Sequence, residues 1–132
     1  MVAATAKNTD HRFRIYPDVY SDIKKALTFP EMGGILGMDQ SGKIVKFHFD
    51  ATGTTAKNLY TPDVKTLNRV IQDWFEMGIY FAGFVHSHVR GKTRLSWADV
   101  NYAQTIKNVC GMDSVLMMLY IPETGESYEY TV

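Results

Sequence analysis

Two histidines one residue apart, His86 and His88, close an apolar run from Ile79 to Val85, and after a seven-residue gap come Ser96 and then Asp99. The run has the length and the aromatic and β-branched content of a buried strand. Side chains two apart on a strand share a face, so both imidazoles are expected to project together from the strand's end, with Ser87 turned away. Two neutral imidazoles and one carboxylate are three of the four ligands that a catalytic zinc takes, the fourth position being left to water. Coordination brings the pKa of that water from 15.7 to about 7, which is the chemistry of a hydrolytic site. Each part has a plainer reading. A lone His-x-His is most often structural, and Ser-x-x-Asp is an ordinary helix-capping arrangement. The two readings of Ser96 are compatible, because a capping hydroxyl keeps its proton free to donate outward.

The pattern His-x-His-x(7)-Ser-x-x-Asp resembles the JAMM motif of the JAB/MPN metalloproteases, a group that includes deubiquitinating isopeptidases and prokaryotic relatives. That family also carries a glutamate well upstream, near the start of a strand and beside small residues. The segment Glu31-Met32-Gly33-Gly34-Ile35-Leu36-Gly37 fits it. One position departs, since many relatives have proline after the second histidine where this chain has Val89; that residue shapes a loop and binds no metal. The likeness runs from about Phe13 to the end of the chain.

The resemblance implies one Zn2+ per chain, held by His86, His88 and Asp99. It implies Glu31 as general base, because a fourth protein ligand would close the position that water needs. Ser96 is the implied donor to the tetrahedral oxyanion, and the glycines after Glu31 are expected to permit close backbone approach. Members cleave at the C-terminal Gly-Gly tail of ubiquitin or ubiquitin-like proteins, so the implied partner is a protein substrate, a ubiquitin-like modifier or its conjugate. Such a tail is expected to dock by strand addition along a sheet edge beside the metal. About 55 residues separate Glu31 from His86 and 33 follow Asp99. This compactness is closer to members acting on small sulfur-carrier or ubiquitin-like proteins than to enzymes with large insertions for polyubiquitin. The rival readings are a non-catalytic MPN-type scaffold, whose members typically lack the ligands, and a zinc peptidase acting on short cell-wall or phage-tail peptides.

The bulk composition narrows the other classes. The 132 residues suffice for one domain with an ordinary core. Fourteen basic and fourteen acidic residues cancel, leaving no global field to attract nucleic acid. The lone Cys110 excludes an intrachain disulfide and suits a reducing compartment; a buried or junction role is expected for it. No apolar stretch approaches the roughly 20 residues that cross a bilayer, and the opening residues lack a secretory pattern, so a cytoplasmic protein is expected. Residues 1–11 read as a disordered N-terminus and 12–132 as the JAB/MPN domain. His11 and His48 read as structural or surface residues, and Arg90, Lys92 and Arg94 as a solvated loop or a contact with the acidic or polar surface of a protein substrate beside the cleft. Oligomeric state is legible in none of this.

The elements that must position the site follow from periodicity. Phe13 to Tyr16 is a short strand. Pro17 opens a helix with Val19, Ile23, Ala26 and Leu27 at helical spacing. Gly33–Met38 and Lys43–Asp50 are strands joined by an Asp-Gln-Ser-Gly turn, and Val45, Phe47 and Phe49 alternate as the apolar face of the second. Residues 51–60 read as a loop. Thr61-Pro62-Asp63 reads as a cap followed by a first turn, and Leu67, Val70, Ile71, Trp74 and Phe75 form an apolar stripe ended by Gly78. A helix is expected from Ser96 to about Asn108, then a buried strand Val115–Ile121 in which Met117 and Met118 fill core, and a final edge strand from Ser127 to Val132. The order β-α-β-β-α-β-α-β-β predicts an α/β (α+β) fold. Its mixed β-sheet is flanked by helices, and the resemblance implies the JAB/MPN (cytidine deaminase-like) architecture.

Overall fold

A computed structural model describes residues 14–56 and 59–132 of the chain. The expected disorder of residues 1–11, and with it Phe13 and His11, lies outside them. In chain order the elements are β1 (Arg14–Ile15), α1 (Pro17–Ala26), β2 (Gly33–Met38), β3 (Lys43–Phe49), β4 (Thr54–Ala56), β5 (Leu59–Thr61), α2 (Val64–Glu76), β6 (Tyr80–Ser87), α3 (Trp97–Cys110), β7 (Leu116–Ile121) and β8 (Glu126–Thr131). The mixed sheet that the periodicity predicts is present, with strand order β1-β3-β2-β6-β7-β8. The pairs β1/β3 and β6/β7 are parallel and the other neighbours antiparallel, which makes the fold α+β. No helix among the described residues is long and apolar enough to cross a membrane.

The sheet buries both faces. On one, α1 sets Val19 and Ile23, with Leu27 just beyond, against Leu36, Val85, Leu116 and Met118. Pro17 starts this helix, and Asp18 and Lys24 complement its dipole. On the other face, Leu67 and Trp74 of α2 and Ala103 of α3 cover Ile35, Phe84, Met117 and Leu119. Side chains of this size contribute about 1.5–3 kcal/mol each when fully buried, so β6 and β7, apolar on both sides, anchor the sheet. The His86 end of β6 is therefore attached to a part of the sheet packed on both faces.

Four expectations are corrected. The segment 51–60 is no simple loop, because β4 and β5 pair there as a small antiparallel hairpin. The register between β2 and β3 slips at Gly37/Met38 with Val45 as the extra residue, so the phase of β3 flips. Ile44 joins Phe47 and Phe49 toward the α1 side, and Val45 does not. Helix α2 begins two residues later than Thr61-Pro62 suggests, with Asp63 as the cap: its carboxylate accepts from the Thr66 N–H and the Thr66 and Thr52 hydroxyls. Phe75 of the stripe is 60% exposed and packs edge-on against Tyr80. Cys110 ends α3 beside Gly111, whose φ of 64° terminates the helix; it occupies the expected junction but is exposed.

Candidate metal centre

Strand β6 runs inward until His86 and Ser87, and His88 follows where the ladder ends, its N–H held by the Tyr120 carbonyl of β7 at 3.0 Å. The two imidazoles lie on one side as alternation requires, their rings stacked at 4.6 Å with planes 23° apart. Both are buried, at 6% and 5% exposure. The tautomer of His88 follows from its neighbour. Its Nδ1 lies 3.1 Å from the Lys92 carbonyl, and a carbonyl only accepts, so Nδ1 carries the proton and the Nε2 lone pair is free. Burial, with the His86 ring second, pushes the His88 pKa down to about 4, keeping this imidazole neutral at physiological pH.

Asp99 enters from α3. Ser96 caps that helix, and the two side chains form a reciprocal box: Ser96 Oγ accepts from the Asp99 N–H at 3.1 Å, and Asp99 Oδ2 accepts from the Ser96 N–H at 2.8 Å. The box fixes the Asp99 carboxylate, which lies 3.5 Å from His86 Nε2 and 3.8 Å from His88 Nε2. Burial alone would raise the Asp99 carboxyl; the His86 ring beside it, the Ser96 N–H and His88 outweigh that and hold it at about 2. The Ser96 hydroxyl proton has no acceptor among the described residues.

Glu31 comes from the segment before β2. It is 8% exposed, and its Oε1 lies 4.0 Å from His88 Nε2. Burial raises its pKa above the usual carboxylate value, with the His86 and Lys92 charges opposing and the Asp99 charge reinforcing the rise. What delivers Glu31 is Ser87, the residue turned away from the histidines. Fully buried, its hydroxyl donates to the Phe29 carbonyl and accepts from the Met32 N–H, both at 2.8 Å, while its own N–H bonds the Met32 carbonyl. The strand that holds the histidines thus also grips the segment that carries the glutamate. The expectation of a turned-away Ser87 holds, but this positioning role was not anticipated; a small hydroxyl between two aligned histidines in an apolar strand was its only trace.

The glycines after Glu31 serve close approach as expected. A methyl at Gly33 would lie 2.4 Å from the Tyr60 ring, and one at Gly34 would lie 2.2 Å from the His48 carbonyl. Tyr60 of β5 stands 6.5 Å from His86, centroid to centroid, and its hydroxyl donates to Asp50 at 2.7 Å. Tyr60, Glu31, both histidines, Asp99 and the turn from Gly91 to Ser96 enclose a cleft of ≈ 400 Å³. That size is ordinary for a small-ligand site.

The donor set fits a divalent metal. One ligand atom from each of His86, His88 and Asp99 lies within 4.8 Å of the others. Ligand atoms about 2.1 Å from a tetrahedral zinc stand roughly 3.4 Å apart, near the separations of the Asp99 oxygen from the two imidazole nitrogens. His86 Nε2 is buried without a hydrogen-bond partner among the described residues, a costly state for a polar atom that a cation would relieve. The Lys92 carbonyl orients His88 as the outer partner of a ligand imidazole does. Glu31, His86, His88, Ser96 and Asp99 are all brought together; His48 lies on the β2/β3 ladder opposite Ile35, away from them.

No protein-family model matches the chain, and no curated protein does. Among solved structures, the solution structure of protein DSY2949 from Desulfitobacterium hafniense is similar with a TM-score of 0.65 and 13% identity. The match covers 90% of this chain and 82% of that one. At such identity the likeness concerns the fold alone.

Proposed function

We propose that this chain is a zinc-dependent peptidase or isopeptidase of JAB/MPN architecture that hydrolyses an amide bond, at the C-terminal tail of a ubiquitin-like or sulfur-carrier protein. The observation that carries the reading is the convergence of one donor atom each from His86, His88 and Asp99, with His86 Nε2 buried and without a hydrogen bond among the described residues and a second carboxylate 4.0 Å from His88. His86, His88 and Asp99 would hold the metal. When bound, zinc supplies a water that ionises near neutral pH and a Lewis acid toward the carbonyl.

The remaining work falls to the chain's own groups. Glu31 takes one proton from the attacking water as its oxygen bonds the carbonyl carbon, and passes that proton to the amide nitrogen as the C–N bond breaks. The products are a carboxylic acid and an amine, and the acid then yields its proton to the amine, leaving a carboxylate and an ammonium. A base with a raised pKa suits this double duty better than an ordinary surface glutamate. The free hydroxyl proton of Ser96 donates to the carbonyl oxygen as negative charge grows there, the point at which a hydrogen bond lowers the barrier most. Ser87 holds Glu31 in reach, and Lys92, through its carbonyl, holds the His88 ring.

The test is to load the purified chain with zinc, incubate it with a panel of ubiquitin-like conjugates and fusions, and measure release with and without chelator. About one zinc per chain and chelator-sensitive cleavage are expected. Bound zinc with cleavage of short peptides alone would favour the cell-wall or phage-tail reading, and failure to bind zinc would leave the scaffold.

A further inference from the structure

The cleft is electrostatically lopsided in a way that amide hydrolysis alone does not require. Its two carboxylates are already engaged, Asp99 by the Ser96 N–H and Glu31 against His88. Its rim is the turn from Gly91 to Ser96, which contributes Lys92 and Arg94 to the lining, both exposed. Neither pairs with a carboxylate among the described residues, whereas Arg90 in the same stretch lies 3.7 Å from Glu123 and takes no part in the cleft. The Lys92 charge acts on both Glu31 and His88, so its ammonium stands within electrostatic range of the reacting centre. The turn is also fixed: Leu95 is buried at 1% exposure, Thr93 receives the Tyr130 hydroxyl on its carbonyl, and Lys92 receives His88. Two cations on an anchored turn, facing a site that gains further positive charge with its metal, form a receptor for an anion.

Resting on the peptidase reading, we propose that Lys92 and Arg94 recognise a carboxylate on the substrate a few bonds from the scissile amide. The preferred substrate is then an amide next to a negatively charged residue. The charge is either the free α-carboxylate of a C-terminal amino acid that is released, or an acidic side chain beside the bond. A lysine ε-amine joined within a neutral surface offers neither. Lys92 and Arg94 act on specificity; the bond-breaking groups remain Glu31 and Ser96.

The test compares three peptides on the zinc-loaded chain: N-acetyl-Gly-Gly followed by alanine with a free carboxylate, by alaninamide, or by glutamate α-amide. One charged peptide is expected to exceed the neutral one in kcat/KM by about tenfold, mainly through KM, since charged hydrogen bonds are strong but this rim is solvated. The terminal-carboxylate arm winning identifies the α-carboxylate, and the glutamate arm identifies the side chain. The double variant Lys92→Gln, Arg94→Gln is expected to bring the ratio near one, while Lys92→Arg preserves it. Equal rates, or a preference that survives the double variant, overturn the proposal. Where no peptide is cleaved, binding decides: N-acetyl-alanine is titrated against N-acetyl-alaninamide while the amide resonances of Gly91–Ser96 are followed. Direct coordination of a carboxylate to zinc would persist in the double variant, so an affinity difference that vanishes there supports the rim cations and one that persists overturns them. Absent cleavage together with binding that depends on Lys92 and Arg94 would tell against the peptidase reading while leaving anion recognition standing, which keeps the two failures apart.

Discussion

The two walls of the cleft are built by opposite strategies. The inner wall, with His86, His88 and Glu31, is buried and set by backbone: a central strand fixes the histidines, and Ser87 on the reverse face of that strand fixes the glutamate. The outer wall, with Ser96 and Asp99, is more exposed and set by a helix cap, a short turn and the Tyr130 anchor. The inner wall resists displacement because moving it would break buried hydrogen bonds and core packing. The outer wall rests on interactions of about 1 kcal/mol each. Under the proposed reading, the contrast gives the two histidines and the base a fixed geometry while the side through which substrate would enter stays easier to move.

Substitutions can break this contrast or sharpen it. The largest effect is expected for His88→Ala, which removes an inner-wall ligand and should weaken zinc binding by more than about 100-fold; retention of one zinc per chain after gel filtration would show that the cluster is not the metal site. Next comes Glu31→Gln, which should keep zinc yet lower turnover by about 10²–10⁴. Metal content and initial rate on the same sample decide it, and an active variant would remove Glu31 from the chemistry. Ser96→Ala, on the outer wall, should lower turnover by about 10²–10³ as a lost oxyanion donor does, with only about 1 kcal/mol from the lost cap. Full activity would reduce Ser96 to its structural role. Ser87→Ala leaves the Met32 N–H without its side-chain partner, for about 1–3 kcal/mol in denaturant unfolding, and should slow turnover although Ser87 does not line the cleft. A stable variant with unchanged kinetics would sever the proposed link between the histidine strand and Glu31. The smallest effect belongs to Tyr130→Phe, which frees the Thr93 carbonyl on the outer wall for about 1 kcal/mol. A loss matching that of Ser87→Ala would mean that the two walls do not differ as described.

Much of the sheet was legible because its signals are local. The apolar β6 and β7, the stripe of α2 and the cap at Ser96 each declare themselves within one element, and the alternation of His86 and His88 needs no tertiary information. What escaped depends on distant partners or on backbone. The β4/β5 hairpin lies in a stretch rich in Thr, Gly and Asn with no apolar alternation to mark it. The Val45 bulge inverts the face of half a strand with no residue that announces it. The task of Ser87 is defined by Phe29 and Met32, 58 and 55 residues away in the chain, and the Lys92 group that orients His88 is a carbonyl, which every residue has. That Glu123 lies beside Arg90, while neither Lys92 nor Arg94 pairs with a carboxylate among the described residues, is likewise a tertiary fact that no local pattern carries.

The Tyr60 ring touches positions from two separate stretches of chain: a methyl at Gly33 would meet it at 2.4 Å, and one at Gly53 would meet it at 2.8 Å. Drift at these three sites is thereby tied together. A lineage that gains a side chain at 33 or 53 must shrink or redirect residue 60 at the same time, so in a collection of descendants the trio should change as a set or stay as it is.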